Sequence, residues 1–124
     1  MIKTENKHIY DLEERTLKYG KRIVYMCQAL NMHYDPINKR LADQVLRSGT
    51  SVGANYREAN ETETKKDFCF RMRICRKEAK ETVYWLKLIT EHNPLLAKRL
   101  ESLSQETAEL VKIFATIIEK SRSK

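Results

Sequence analysis

The chain has 124 residues, 41% hydrophobic and 33% charged: enough for one soluble folded domain, too short for two independent cores. Its three glycines and two prolines cannot supply the turn every ~8–12 residues that a sandwich or barrel needs, which leaves an all-helical domain. A net charge of +7, from 24 basic and 17 acidic residues, favours anionic partners, nucleic acid first, without locating a site.

Residues 1–10 are polar and are expected to form a flexible N-terminal segment. Over about 11–31, Leu12, Gly20, Ile23, Val24, Cys27 and Leu30 recur at helical spacing. Asp11 with Glu14 resembles a capping box. Lys18, Lys21 and Arg22 fall opposite the apolar stripe and give this helix a basic outer face.

Asn31 to Pro36 reads as a loop, with Asp35 as cap and Pro36 in the first turn of the next helix. That helix is expected over about 36–59, with Leu41, Val45, Ser48, Gly49, Val52 and Ala59 inward. Residues 47–55 are rich in small and β-branched side chains. Each costs several tenths of a kcal/mol in a helix relative to alanine, and glycine about 1. The segment is either a loop or a helix whose small residues admit a close neighbour; the unbroken apolar period favours the helix.

Asn60 to Thr64 is a polar break in which Thr62 or Thr64 can cap a third helix, about 64–92. Its seam, Phe68, Met72, Cys75, Ala79, Thr82, Leu86 and Ile89, steps alternately by four and three, as bundle helices do. It ends near His92 and Asn93, before Pro94. A fourth helix over about 95–121 repeats the pattern with Leu96, Leu100, Leu103, Thr107, Leu110, Phe114 and Ile117, then closes in a short basic tail. Short connections between such helices predict an up-down-up-down antiparallel four-helix bundle.

The segment Leu46-Arg47-Ser48-Gly49-Thr50-Ser51-Val52-Gly53-Ala54-Asn55-Tyr56-Arg57-Glu58-Ala59 resembles the signature of the four-helix-bundle family called 23S rRNA intervening-sequence proteins. Thr64-Lys65-Lys66-Asp67-Phe68 and Lys77-Glu78-Ala79-Lys80-Glu81-Thr82-Val83-Tyr84-Trp85-Leu86 are similar to its later elements, in the same order. The resemblance covers nearly the whole chain. It implies a bundle that assembles as a homopentamer. A related branch resembles the accessory proteins of diversity-generating retroelements, which work with a reverse transcriptase and RNA. It therefore implies nucleic-acid binding, RNA first, and not catalysis.

The residues themselves point the same way. His8, His33 and His92 form no cluster with cysteine or carboxylate at metal-ligand spacing. Gly49 and Gly53 are not followed by the Gly-Lys-Ser/Thr of a phosphate loop. Glu58, Glu61 and Glu63 read as a solvated helix end, since a di-metal bundle needs Glu-x-x-His pairs. Cys27, Cys69 and Cys75 are odd in number and lack CxxC spacing, which predicts no disulfide framework and a reducing cytoplasm. No membrane span, signal peptide, metal or cofactor is expected.

The third helix carries most of the information. With Phe68 at 0° and about 100° per residue, Lys65, Lys66, Arg73, Arg76, Lys77, Lys80 and Lys87 fall at roughly 60–180°. Phe70, Ile74, Trp85 and Leu88 form a second apolar stripe on the other flank, with Glu78 and Glu81. That flank is either a wide core seam or a subunit interface, where it would meet a neighbour's cations and build a ring. The basic stripe pairs with a neighbour's acids, binds phosphates, or is simply solvated. Tyr84, at about 160° on the same wheel, is a candidate for base stacking. Ser51, Asn55 and Glu58 share a face about 60° wide near Arg47 on the second helix, which either forms a site or, as is more common for such residues, a polar network closing the bundle or its ring interface.

The expectation is a non-enzymatic, oligomeric protein that binds RNA or DNA through the basic stripe. The other function class is an accessory subunit docking onto a nucleic-acid enzyme such as a reverse transcriptase.

Overall fold

The computed structural model describes the backbone of residues 2–30 and 33–122, and within those ranges the side chains from Leu12 onward. It contains α1 (Ile2–Ala29), α2 (Pro36–Asn60), α3 (Lys65–His92), a 3₁₀ turn (Pro94–Leu96) and α4 (Ala97–Arg122). Consecutive helices pack side by side, α2 with α3 most extensively, and α1 meets α4 along a thinner contact. α3 therefore lies between α2 and α4, diagonally across from α1. This is the expected antiparallel bundle.

The helix boundaries follow from local chemistry. Asp35 accepts from the backbone N–H groups of Ile37 and Asn38, each at 3.0 Å, and Pro36 opens α2. Thr64 accepts from the Asp67 N–H at 3.0 Å and starts α3. α3 stops at His92, ahead of Pro94. α1 departs from expectation at its start. Its helix begins at Ile2, so residues 2–10 are helical and Asp11 is an interior position, not a cap. No glycine or proline interrupts the chain before Gly20.

Residues 47–55 are helical, and long-range packing explains their small side chains. A Cβ on Gly49 would lie 2.8 Å from Ile23 Cγ1, and one on Gly53 would lie 3.2 Å from the Thr16 carbonyl oxygen. α1 therefore presses directly onto the α2 backbone. The seams shift slightly from the expected ones. Cys69, Ala42 and Ile118 are buried, whereas Phe68, Leu41 and Ile117 are half-buried at the core's edge. In α1, Thr16, Tyr19 and Met26 are buried in addition to the expected Leu12, Ile23 and Cys27, whereas Gly20 and Val24 turn partly outward.

A layer of hydroxyls crosses the core and uses every helix. Tyr19 and Thr107 are 2.6 Å apart, and Ser48 and Thr82 2.7 Å apart. Thr107 donates to the Leu103 carbonyl and Thr82 to the Glu78 carbonyl. Tyr19 and Ser48 are therefore the donors to the two threonines, because each threonine has a single proton to give. At one end of the bundle Asn38 and Asn93 exchange side-chain bonds at 2.9 and 2.8 Å, and His92 Nε2 sits 2.9 Å from Asp35 Oδ2.

Candidate nucleic-acid interface

α3 turns Met72, Cys75, Ala79, Thr82, Leu86 and Ile89 into the core, and α2 and α4 cover its flanks. The predicted basic stripe faces outward. Lys65, Lys66, Arg73, Lys77, Lys80 and Lys87 are exposed and Arg76 is half-buried. Lys65 and Lys87 stand ~33 Å apart along the helix axis. Among the described residues, none of these seven cations has a carboxylate within ion-pairing distance. Arg15 differs: Glu106 and Glu109 hold it at 2.7 and 2.9 Å.

The stripe also extends onto α4, which the sequence reading missed. Lys112 borders a cleft of about 320 Å³ with Lys80 and Val83, and a trough of about 520 Å³ with Lys65, Ile113 and Ile117. The signal was available: Lys112 lies off the α4 seam, and an antiparallel α4 places it beside the stripe.

The apolar and acidic flank divides in two. Arg47 reaches from α2 to Glu78 at 3.3 Å and also bonds Glu81. Glu81 in turn accepts from the Trp85 indole N–H at 2.9 Å. Ile74 and Trp85 are half-buried, and Trp85 packs against the core. The acids of the expected subunit interface thus have an arginine of the same chain as partner. Phe70 and Leu88 lie on the exposed part of the flank.

The signature residues are joined less closely than expected. Arg47 bridges helices, whereas Ser51 donates to the Arg47 carbonyl at 2.7 Å and Asn55 to the Ser51 carbonyl at 2.9 Å. Asn55 gains a second link across helices, accepting from Arg71 at 3.3 Å. Glu58 is exposed and takes no part in these bonds.

A second apolar surface lies away from α3. Leu17, Gly20, Val24 and Tyr25 of α1 with Gly53 and Ala54 of α2 line a groove of about 500 Å³, rimmed by Lys21 and Arg57. Apart from its chain neighbours and its own helix backbone, nothing among the described residues lies within 4 Å of the position a Gly20 Cβ would take.

Burial pushes the Cys27 thiol up to about 11 and the Cys75 thiol up to about 12, so little thiolate exists at neutral pH. Among the described residues, no group of three or more His, Cys, Asp or Glu is placed to hold a metal ion, and no helix is long and apolar enough to cross a membrane.

The family model of the 23S rRNA-intervening sequence proteins matches residues 12–116. The chain belongs to this family. It is also similar to a Bacteroides thetaiotaomicron protein of unknown function described as belonging to the S23 ribosomal protein family. The two share 33% identity over 90% of this chain and 97% of the other, with a TM-score of 0.80. No curated protein matches the chain. For this family member, the signature segment is the stretch of α2 on which α1 rests and from which Arg47 reaches α3.

Proposed function

We propose that this protein is a non-catalytic, oligomeric nucleic-acid-binding protein that contacts phosphates through the outer face of α3, with RNA preferred. The observation that carries this reading is the set of seven α3 cations that have no ion-pair partner among the described residues. Clustered lysines and arginines repel one another, and a polyanion relieves that repulsion while releasing counterions. The RNA preference rests on the family's association with ribosomal RNA genes. Three buried, unpaired cysteines fit a reducing, cytoplasmic setting.

Assembly is part of the same proposal, a homopentamer on the family resemblance. Since Arg47 already holds Glu78 and Glu81, the α1–α2 groove is the better candidate for a contact between copies. Contact there leaves α3 free. The same groove favours a second reading, an accessory subunit that docks a protein partner in it.

Binding of RNA and DNA is measured across a salt series with the wild type and with Arg73→Glu/Arg76→Glu, after sedimentation has shown that the variant keeps its oligomeric mass. The expected wild-type log–log slope is about −0.7 per phosphate on single strands and about −0.9 on duplex DNA. The variant binds every sequence more weakly, because phosphate contacts position but do not specify. Unchanged binding at intact mass, or none at low salt, overturns the nucleic-acid reading and leaves the docking subunit.

A further inference from the structure

Resting on that reading, we infer that α3 binds single-stranded nucleic acid, with bases stacked on Tyr84 and Phe70 and phosphates on the cations around each ring. Tyr84 stands on the basic face and Phe70 at the border between that face and the apolar flank, ~20° from Lys77 on the helical wheel, and each ring is 56% exposed. A merely solvated charged face has no use for them, because each leaves apolar area in water.

Their placement repeats. Phe70 has Lys66 four residues before it and Arg73 three after it. Tyr84 has Lys80 four before and Lys87 three after, with Lys77 midway between the rings. Positions three and four apart are neighbours on a helix surface, so each ring lies between two cations. The two units are ~21 Å apart along the axis and turned by about 40°. A strand of about four or more nucleotides, the lower end of single-strand site sizes, bridges such an interval.

Tyr84 is also held in place. The Trp85 ring meets it edge-on, with centroids 5.0 Å apart and planes at 71°. Trp85 is anchored by Glu81, and Glu81 by Arg47. Little ordering is then left for binding to impose on that ring.

The shape of the bundle argues against a duplex ligand. A DNA major groove ~12 Å wide admits one helix of ~10–12 Å diameter. α3 has helices packed on both sides, at the usual spacing of ~8–10 Å, so it cannot enter alone. The major groove of an RNA duplex is narrower still. In any duplex the base faces are already stacked and unavailable to Phe70 and Tyr84.

The test titrates the full chain with single-stranded RNA and DNA of mixed sequence, and with duplexes of the same length, at one salt concentration. Trp85 is the chain's one tryptophan, so its emission reports events beside Tyr84. Single strands are expected to bind at least ~10-fold tighter than duplexes and to quench Trp85. Tyr84→Leu and Phe70→Leu should each lose ~5- to 100-fold, with the salt slope and oligomeric mass unchanged. Tyr84→Phe should bind as the wild type. Equal affinity for duplexes, or Leu variants that bind like the wild type at an unchanged slope, overturns the stacking inference and leaves phosphate binding standing. A Leu variant that loses its oligomeric mass assigns that ring to an interface and also overturns it. Binding that no salt change affects and Arg73→Glu/Arg76→Glu does not weaken brings down the nucleic-acid reading itself.

Discussion

Arg47 of α2 donates to Glu78 of α3 at 3.3 Å, tying the signature segment to the helix that carries the basic stripe. The Glu78 side chain is only 14% exposed, so its carboxylate depends on this partner more than a surface acid would. Arg47→Met is expected to cost about 1 kcal/mol, the upper end for such pairs. The check is urea unfolding of Arg47→Met, Glu78→Gln and the double variant. A coupling energy near zero would show that the bridge contributes nothing.

The Tyr19 hydroxyl is the group most committed to the core. Burial pushes its pKa up to about 12. The folded state therefore holds this proton more tightly than the unfolded chain, whose phenol titrates near 10. The resulting stability is fully present below pH ~10 and is lost as pH rises toward ~12, at up to ~1.4 kcal/mol per pH unit. Tyr19→Phe removes a buried hydrogen bond, at about 1 kcal/mol at neutral pH. Between pH 10 and 12 its stability should fall less steeply than the wild type's, as read by guanidinium melts. Parallel slopes would refute the assignment.

The α2 cap behaves in the opposite sense. The Asn38 N–H first, and His92 second, hold the Asp35 carboxyl below its ordinary 3.8. Its contribution is present above that value and is lost as pH falls through the lower folded value. Asp35→Asn keeps a cap acceptor but removes the charge, so its acid unfolding curve should lack that loss. NMR titration of the Asp35 carboxyl checks this directly: His92→Gln should move its midpoint up toward 3.8.

Apart from the start of α1, where Asp11 reads as a cap but is an interior position, features set by neighbours in sequence were legible before the fold was known. The caps at Asp35 and Thr64, the stop before Pro94 and the cations of α3 all depend on spacings within one or two turns. Features set by the axial register between helices were not. Nothing in the α2 sequence places Arg47 opposite Glu78, and nothing in α1 places Ile23 against Gly49 or Tyr19 beside Thr107. The small-residue segment was ambiguous for that reason, since its cause lies on another helix. The acidic flank of α3 was open to assignment as an intersubunit surface for the same reason.

The last prediction sets two glycines against each other. Alanine gains up to about 1 kcal/mol over glycine inside a helix, so each Gly→Ala change begins with that advantage. At Gly49 the new methyl would stand 2.8–3.0 Å from three atoms of Ile23, which is fully buried and has no room to retreat. Overpacking of this kind costs ~1–3 kcal/mol, so Gly49→Ala should destabilise on balance. At Gly20 the methyl meets nothing among the described residues within 4 Å beyond its chain neighbours and its own helix backbone, and the helix preference acts unopposed. Gly20→Ala should then stabilise the folded chain by about 0.5–1 kcal/mol. It also fills part of the α1–α2 groove. If copies meet there, Gly20→Ala shifts sedimentation toward lighter species at a given concentration, and Tyr25→Glu, on the same groove, shifts it further. A Gly20→Ala protein that is more stable and keeps its full oligomeric mass, joined by a Tyr25→Glu protein that also keeps it, removes the groove as the contact between copies.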